Sequence, residues 1–428
     1  MITIKQPYIQ HLEKTDRVIS DIIVDDNTVP VWFEVPSAYG KYLTYERSDG
    51  FLIGMLSIAM RQKHDIMCEA PVTEELLYQI QTVLVPSLVK YSKKLYHTKI
   101  MSKTAPALDN AGAVGSGLSC GVDSMHVIAR MLQSEYNTMN LTHFTFYNVG
   151  SFNGIYKDVG IEKVRDVCRE RAEKCAKEVD LPLIITDSNF QSAFWQDHLL
   201  THTFSSTFAI FMLQKLWKTY YYGSSGYDYS LFTIKNNDCI SADHYDLLSL
   251  CCFSTSKMTI YSEGGEETRY EKQLDIADNP IAKKYLHVCT KSYTNCNVCN
   301  KCKRTLLLFD AMGKLDEFAQ VFDVDYYKLH RKEYLEYLYR AHIEEIHDPM
   351  LEPAYQVLKN DQEMISLMKE KGYLDYESIS DYKSAYESLI SEYECCKQKY
   401  EGILKSYNYR TGDAILRIPK MIYKAFKK

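Results

Sequence analysis

The sequence predicts an α/β protein: a parallel sheet wrapped by helices, with a small α+β region before it and a helical extension after it. Three observations point there. From about residue 106, strand-like and helix-like stretches alternate, the signature of parallel strands joined by crossover helices. A turn rich in Gly and Ser, Gly115 to Ser124, stands where the first of these strands would hand over to a helix. Finally, 46% hydrophobic and 25% charged residues over 428 positions is the balance of a folded globular chain and not of a disordered one.

The first region, 1–105, contains a β-rich segment bracketed by proline, Val29 to Pro36, which reads as a strand near a sheet edge. Asp49 to Met60 and Glu74 to Lys94 carry apolar residues at helical spacing. Thr73 is the expected N-cap of the second helix, and Pro86 is expected to bend or end it. This region holds no catalytic constellation and reads as packing, or as one wall of a cleft. In the second region, 106–312, the pattern gives a helix at Met125–Leu132, a strand at Leu141–Tyr147 and a helix over about 161–179. A strand at Leu183–Thr186, a helix over about 204–218 and the segment Tyr220–Gly223 follow. Ligands of such sheets bind at the carboxyl ends of the strands. The third region, 313–428, is polar and mostly helical in pattern. It ends in a basic amphipathic stretch, Ile418 to Lys428, read as a solvated terminal helix.

Composition excludes some function classes. With 50 basic against 56 acidic residues, the net charge of -6 argues against DNA binding through bulk charge. No run approaches the roughly 20 apolar residues of a bilayer span. The amino terminus lacks an apolar signal core, so a cytoplasmic setting is expected. Thirteen cysteines, an odd number, read as metal ligands or catalytic groups before a disulfide framework. The 35 tyrosines read as half-buried structural aromatics before a stacking surface.

The most informative segment is Ser119-Cys120-Gly121-Val122-Asp123-Ser124. Backbone N–H groups at a glycine turn followed by a helix N-terminus form an anion site. Gly121 admits a phosphate closely, and Ser119 and Ser124 add hydroxyl donors. Asp123 has the wrong charge to touch phosphate, and makes sense with a cation or an amine in between. The turn is not a G-x-x-x-x-G-K-[ST] loop, and it lacks the third glycine of a dinucleotide fingerprint. The second informative segment is Cys289-x6-Cys296-x2-Cys299-x2-Cys302. Four thiolates at this spacing can close a tetrahedral shell around one Zn²⁺, with an iron–sulfur cluster as the runner-up.

The hexapeptide resembles the S-G-G-x-D-S loop of the PP-loop (N-type) ATP pyrophosphatases, with Cys120 in place of the first loop glycine. Joined to the four-cysteine knuckle, it looks most similar to the 7-cyano-7-deazaguanine synthases over about residues 112–312. The resemblance implies a doubly wound parallel sheet of the adenine nucleotide alpha hydrolase kind, binding ATP with Mg²⁺, with a structural Zn²⁺ on the four cysteines. It implies adenylation of a carboxylate or amide oxygen, release of pyrophosphate, and attack by a nitrogen nucleophile such as ammonia. The substrate is expected to be a small molecule or a peptide terminus, and the protein a possible homodimer. Ser119, Cys120, Gly121, Val122, Asp123 and Ser124 would hold the phosphates, and Phe146, Tyr147 and Asn148 would present backbone to adenine. Tyr222-Gly223-Ser224-Ser225 with Asp228 matches the glycine-containing turn after the third strand. Lys272 and Arg269 would neutralise charge at phosphorus. Cys120 is tolerable at its position with φ below zero. A thiolate there would favour the alternative of sulfur transfer, although no second cysteine is near it in sequence; a non-catalytic ATP sensor is the other alternative. His198 and His202 read as ordinary helix histidines, and Asp243 to Asp246 as an acidic loop.

Overall fold

The computed structural model describes residues 1–132, 134–151, 160–224, 228–235, 241–372 and 389–398. Ser225 and the stretch 418–428 therefore lie outside the described residues. The chain is mixed α/β, with two main sheets. Contacts divide it into Met1–Leu358 and Lys359–Lys428.

The N-terminal sheet begins with β1 (Ile2–Ile4), β2 (Tyr8–His11), β3 (Thr15–Val24) and β4 (Asn27–Pro36). The β3–β4 hairpin turns on Asp25 and Asp26, both at positive φ (48° and 70°), as a two-residue turn between twisted strands requires. Helix α1 (Asp49–Gln62) precedes β5 (Ile66–Cys68) and β6 (Val72–Thr73). Next come α2 (Glu74–Gln79), a π-turn over Ile80–Leu84, and α3 (Val85–Tyr91), then β7 (Ile100–Met101) and β8 (Thr104–Ala105). Thr73 does stand at the N-cap of α2 but makes no capping bond. Its hydroxyl donates instead to buried Asp49 Oδ2 at 2.6 Å. Pro86 sits in the first turn of α3, where a missing N–H costs nothing; the wide π-turn before it absorbs the interruption.

The second sheet is entirely parallel. Its strands are β9 (Ala113–Gly117), β10 (His143–Phe146), β11 (Leu183–Ile185), β13 (Trp217–Gly223) and β14 (Thr259–Glu263), in the order β11-β10-β9-β13-β14. The chain builds outward from β9 in one direction through α4 (Val122–Met131), β10, α5 (Ile161–Glu178) and β11. It then returns past β12 (Asp187–Ser188), α6 (Phe190–Ala193) and α7 (His198–Met212) to build β13, α8 (Asp246–Phe253) and β14 on the other side. Helix α7 starts and ends earlier than the apolar pattern suggests, because Asp197 caps it by accepting from Leu199 N at 3.0 Å, and Trp217 opens β13.

The two sheets are joined. Strand β12 leaves β11 and pairs antiparallel with β4 at the end of the N-terminal sheet, so β4 is covered and is not the edge. One apolar core runs from Ile2 through α1 and α7 to Ile260. Beyond β14 come α9 (Arg269–Ala277), α10 (Pro280–Tyr285), α11 (Asn300–Ala311), α12 (Val324–Leu329), α13 (Arg331–His342) and α14 (Glu352–Leu358). In the second unit, Asp361 caps α15 (Gln362–Lys371), and Gly372 at φ +70° ends it.

Candidate functional site

The loop Ser119–Ser124 leaves the carboxyl end of β9, the strand at which the sheet order reverses. Gly121 is the N-cap of α4, with no side chain capping the helix end. Val122, Asp123 and Ser124 therefore open the helix, and its first-turn amides keep the anion-attracting character of an uncapped N-terminus. Within the loop, Gly121 N donates to Ser119 Oγ at 3.2 Å, and Ser124 Oγ donates to the Gly121 carbonyl at 3.1 Å.

Cys120 departs from expectation. Its φ is +60°, in the left-handed region where a side chain costs about 1–2 kcal/mol. The tolerance expected of it, at φ below zero, does not apply. Its carbonyl accepts from His287 N at 2.8 Å. Its thiol is fully buried, and the neighbouring Cys175 together with burial raises the Cys120 pKa well above the ordinary thiol value. Such a thiol is protonated and inert.

Asp123 meets Arg269 and Lys272, as the sequence reading grouped them. Arg269 Nη1 lies 3.1 Å from Asp123 Oδ1 and Nη2 donates to Oδ2 at 3.2 Å; Lys272 Nζ is 3.7 Å from Oδ1. The cations arrive together because α9 starts with a capping box. Thr268 Oγ1 accepts from Glu271 N at 3.3 Å and Glu271 Oε2 accepts from Thr268 N at 2.7 Å. Positions 269 and 272 then share one helix face. Burial opposes the charge on Asp123, yet Arg269 and then Lys272 hold its pKa below the ordinary carboxylate value. Lys272 is fully buried, and desolvation draws its pKa down even as Asp123 opposes this; its Nζ also donates to the Ser224 carbonyl at 3.1 Å. Gly223, ending β13, lies flush on the loop: a Cβ there would stand 3.2 Å from Asp123 Cβ.

The proposed adenine strand is more occupied. The Phe146 carbonyl accepts from Thr186 N at 3.0 Å, Asn148 Nδ2 donates to Asp187 Oδ1 at 2.6 Å, and the Tyr147 ring stacks 6.2 Å from that of Tyr220. Asp228 caps a short turn through Ser230 N at 2.7 Å.

Several groups around this centre carried no functional role in the sequence reading. Asp246 is only 4% exposed and its Oδ2 has no hydrogen-bond partner. Burial, then neighbouring Asp243, pushes its pKa up to about 8, with Lys272 opposing. The pair at 243 and 246 is therefore more than a solvated acidic loop. Lys301, on α11, keeps access to water. Crowding protein and then Arg269 lower its pKa, while Asp123 opposes. His198 and His202 are held neutral, at about 3 and about 4, chiefly by burial; His202 Nδ1 is 2.8 Å from Tyr222 Oη. Their helical spacing was visible in the sequence; the electrostatic influence of Lys301, on α11, upon both was not. His126 Nε2 lies 2.7 Å from Glu267 Oε2 and 3.3 Å from Asp275 Oδ2. Arg130 already bridges Glu267 at 2.9 Å, which makes this group a charge network. A cavity of about 450 Å³ bordered by Tyr39, Tyr42, His143 and Leu216 lies at the amino ends of the strands, away from these groups.

The four cysteines of the knuckle do converge. The sulfurs of Cys289, Cys296, Cys299 and Cys302 all lie within 4.8 Å of one another, with Cys289 and Cys299 at 3.9 Å. Thiolates about 2.3 Å from one tetrahedral ion stand roughly 3.8 Å apart, so the set fits a single metal ion such as zinc. A multi-iron cluster would spread the sulfurs further. Backbone N–H groups of Lys291 and Ser292 donate to Cys289 Sγ at 3.3 and 3.2 Å, as around a thiolate carrying charge. Among the described residues no helix is long and apolar enough to cross a membrane.

In comparisons with known proteins, no family model, no curated protein and no solved structure matches the chain.

Proposed function

We propose that the chain is an ATP-dependent, AMP- and pyrophosphate-forming ligase or synthase of the PP-loop type, built on a doubly wound sheet. The observation that carries this reading is the meeting of Asp123 with Arg269 and Lys272 beside an uncapped helix N-terminus, at the strand where the sheet order reverses. Open α/β sheets bind ligands at such a point, and the elements present suit a polyphosphate. First-turn amides of α4 and the hydroxyls of Ser119 and Ser124 would receive the outer two phosphates. Arg269 and Lys272, with Lys301 within their electrostatic reach, would neutralise charge gathering on phosphorus. Asp123 keeps both cations in place, its Oδ1 lying 3.1 Å from Arg269 Nη1 and 3.7 Å from Lys272 Nζ, and would help to place a Mg²⁺ ion. That ion would supply further charge neutralisation on the phosphates.

In the reaction, a substrate carboxylate or amide oxygen attacks the α-phosphorus and pyrophosphate leaves. Ammonia or another amine then adds to the activated carbon, and AMP departs with the transferred oxygen. The knuckle, on this reading, holds Zn²⁺ as a closed structural site. Sulfur transfer through Cys120 finds less support, since its thiol is buried and protonated.

The test is pyrophosphate release from Mg·ATP with ammonium and a panel of small carboxylates, including a deazapurine carboxylate, for the parent chain, Asp123→Asn and Lys272→Met. The expected result is release by the parent and a loss of about a hundredfold or more in each variant. ATP binding by the parent without turnover on any panel member would favour a sensor. Absence of ATP binding by calorimetry would overturn the proposal.

A further inference from the structure

The phosphate-loop resemblance has glycine where this chain has Cys120, and glycine adopts a positive φ without penalty. Here a cysteine is held at φ +60°, so something outside the loop must keep it there. The structure supplies a holder on each side of the residue. On one side the Cys120 side chain is fully buried, with Cys175 of α5 as its neighbour. On the other, His287 N donates to the Cys120 carbonyl at 2.8 Å, and His287 lies two residues before the knuckle cysteine Cys289.

The strap carrying His287 is tied into the knuckle by Asn295, next to Cys296. Asn295 Oδ1 accepts from Val288 N at 2.9 Å and Cys289 N at 3.3 Å; its Nδ2 donates to the Leu286 carbonyl at 3.0 Å and the Val321 carbonyl at 2.9 Å. Helix α5 is tied to the same knuckle, because Arg171 Nη2 donates to the Tyr293 carbonyl at 2.5 Å. Both holders of Cys120 therefore run back to the segment that folds around the four sulfurs.

We propose that the metal-loaded knuckle is the brace of the anion loop: by fixing the His287 amide it keeps Ser119–Ser124 in its polyphosphate-receiving conformation. Metal loading and polyphosphate affinity are thereby coupled. His287 is a positioning residue acting through its main chain. The inference rests on the reading of the loop as a polyphosphate site. Coupling is reciprocal, so pyrophosphate tightens metal binding by the same factor by which metal tightens pyrophosphate binding.

The experiment measures Mg·pyrophosphate binding by calorimetry for zinc-loaded and chelator-treated protein, in the parent and in Cys120→Gly. It also measures zinc affinity with and without pyrophosphate, by competition with a chromophoric chelator. The expected result for the parent is a weakening of about tenfold on zinc removal, a strain of roughly the size a left-handed cysteine carries, and the reciprocal gain in zinc affinity. In Cys120→Gly, whose loop does not need the brace, the factor shrinks toward one. Should the zinc-free protein unfold by circular dichroism, Asn295→Ala in the zinc-loaded protein takes its place. It is expected to weaken pyrophosphate several-fold in the parent background and to leave it unchanged in the Cys120→Gly background. A parent factor near one, or an equal factor in both backgrounds, overturns the brace and leaves the site reading intact. Pyrophosphate binding to none of the forms overturns both.

Discussion

Asp246 shows how a single buried group sets a pH dependence. Its pKa is pushed up to about 8 by burial and by Asp243, with Lys272 opposing and Asp123 adding to the rise. The folded chain therefore keeps a proton that the unfolded chain releases near pH 4. The stability this group contributes is present below about pH 4 and is lost as pH rises through about 8. Asp246→Asn preserves the neutral form, so its urea midpoint should fall less than the parent's between pH 5 and pH 8.5. A parallel fall in both would show that Asp246 already ionises in the folded chain. Asp123, Arg269 and Lys272 were legible as a group through the loop motif and the charged stretch at 268–272. The burial of Asp246 and the approach of Lys301 were not, because proximity across more than a hundred residues leaves no local pattern. Cys120 is the reverse case. The residue was visible as a departure, but its positive φ and the nearness of Cys175 exist only once α5 is packed.

At the scale of elements, the strongly periodic stretches were readable: α5 spans Ile161–Glu178 where about 161–179 was expected. Boundaries set by caps were less so, as with α7, which Asp197 starts six residues before the apolar pattern suggests. The element that matters most to the site is α9. Its capping box fixes the first turn and hence the direction of Arg269 and Lys272. Thr268→Ala should cost about 1 kcal/mol by denaturant unfolding and lower pyrophosphate release more than it lowers stability. Glu271→Gln, able to keep the reciprocal bond, should be milder in both. Equal effects on release from the two variants would show that the cap does not aim the cations.

For the unit Met1–Leu358 as a whole, the two sheets are joined and share one apolar core, which predicts a single cooperative unfolding unit. Phe208 of α7 meets Phe33 of β4 at 6.0 Å, Phe51 of α1 at 5.8 Å and Phe190 of α6 at 4.8 Å. Asn189 adds main-chain bonds across the junction, to Trp32 N and the Pro30 carbonyl, both at 2.8 Å. Phe208→Ala should cost about 3–5 kcal/mol. It should lower the midpoint seen by Trp32 and Trp217 fluorescence together, in one transition. Separation of the signal into two steps would mean that the two sheets unfold independently.

The sequence by itself determined the alternation of strands and helices, the glycine turn before α4 and the spacing of four cysteines. Each of these is a local pattern of side-chain period, backbone permissiveness or ligand reach. Tertiary structure alone decided that β12 crosses to the N-terminal sheet, that Asp246 and Lys301 come within electrostatic reach of Asp123, and that His287 bonds the loop at the Cys120 carbonyl. Those outcomes depend on which distant surfaces exclude water together, and the free energy of that burial belongs to pairs of segments and to no stretch of chain alone.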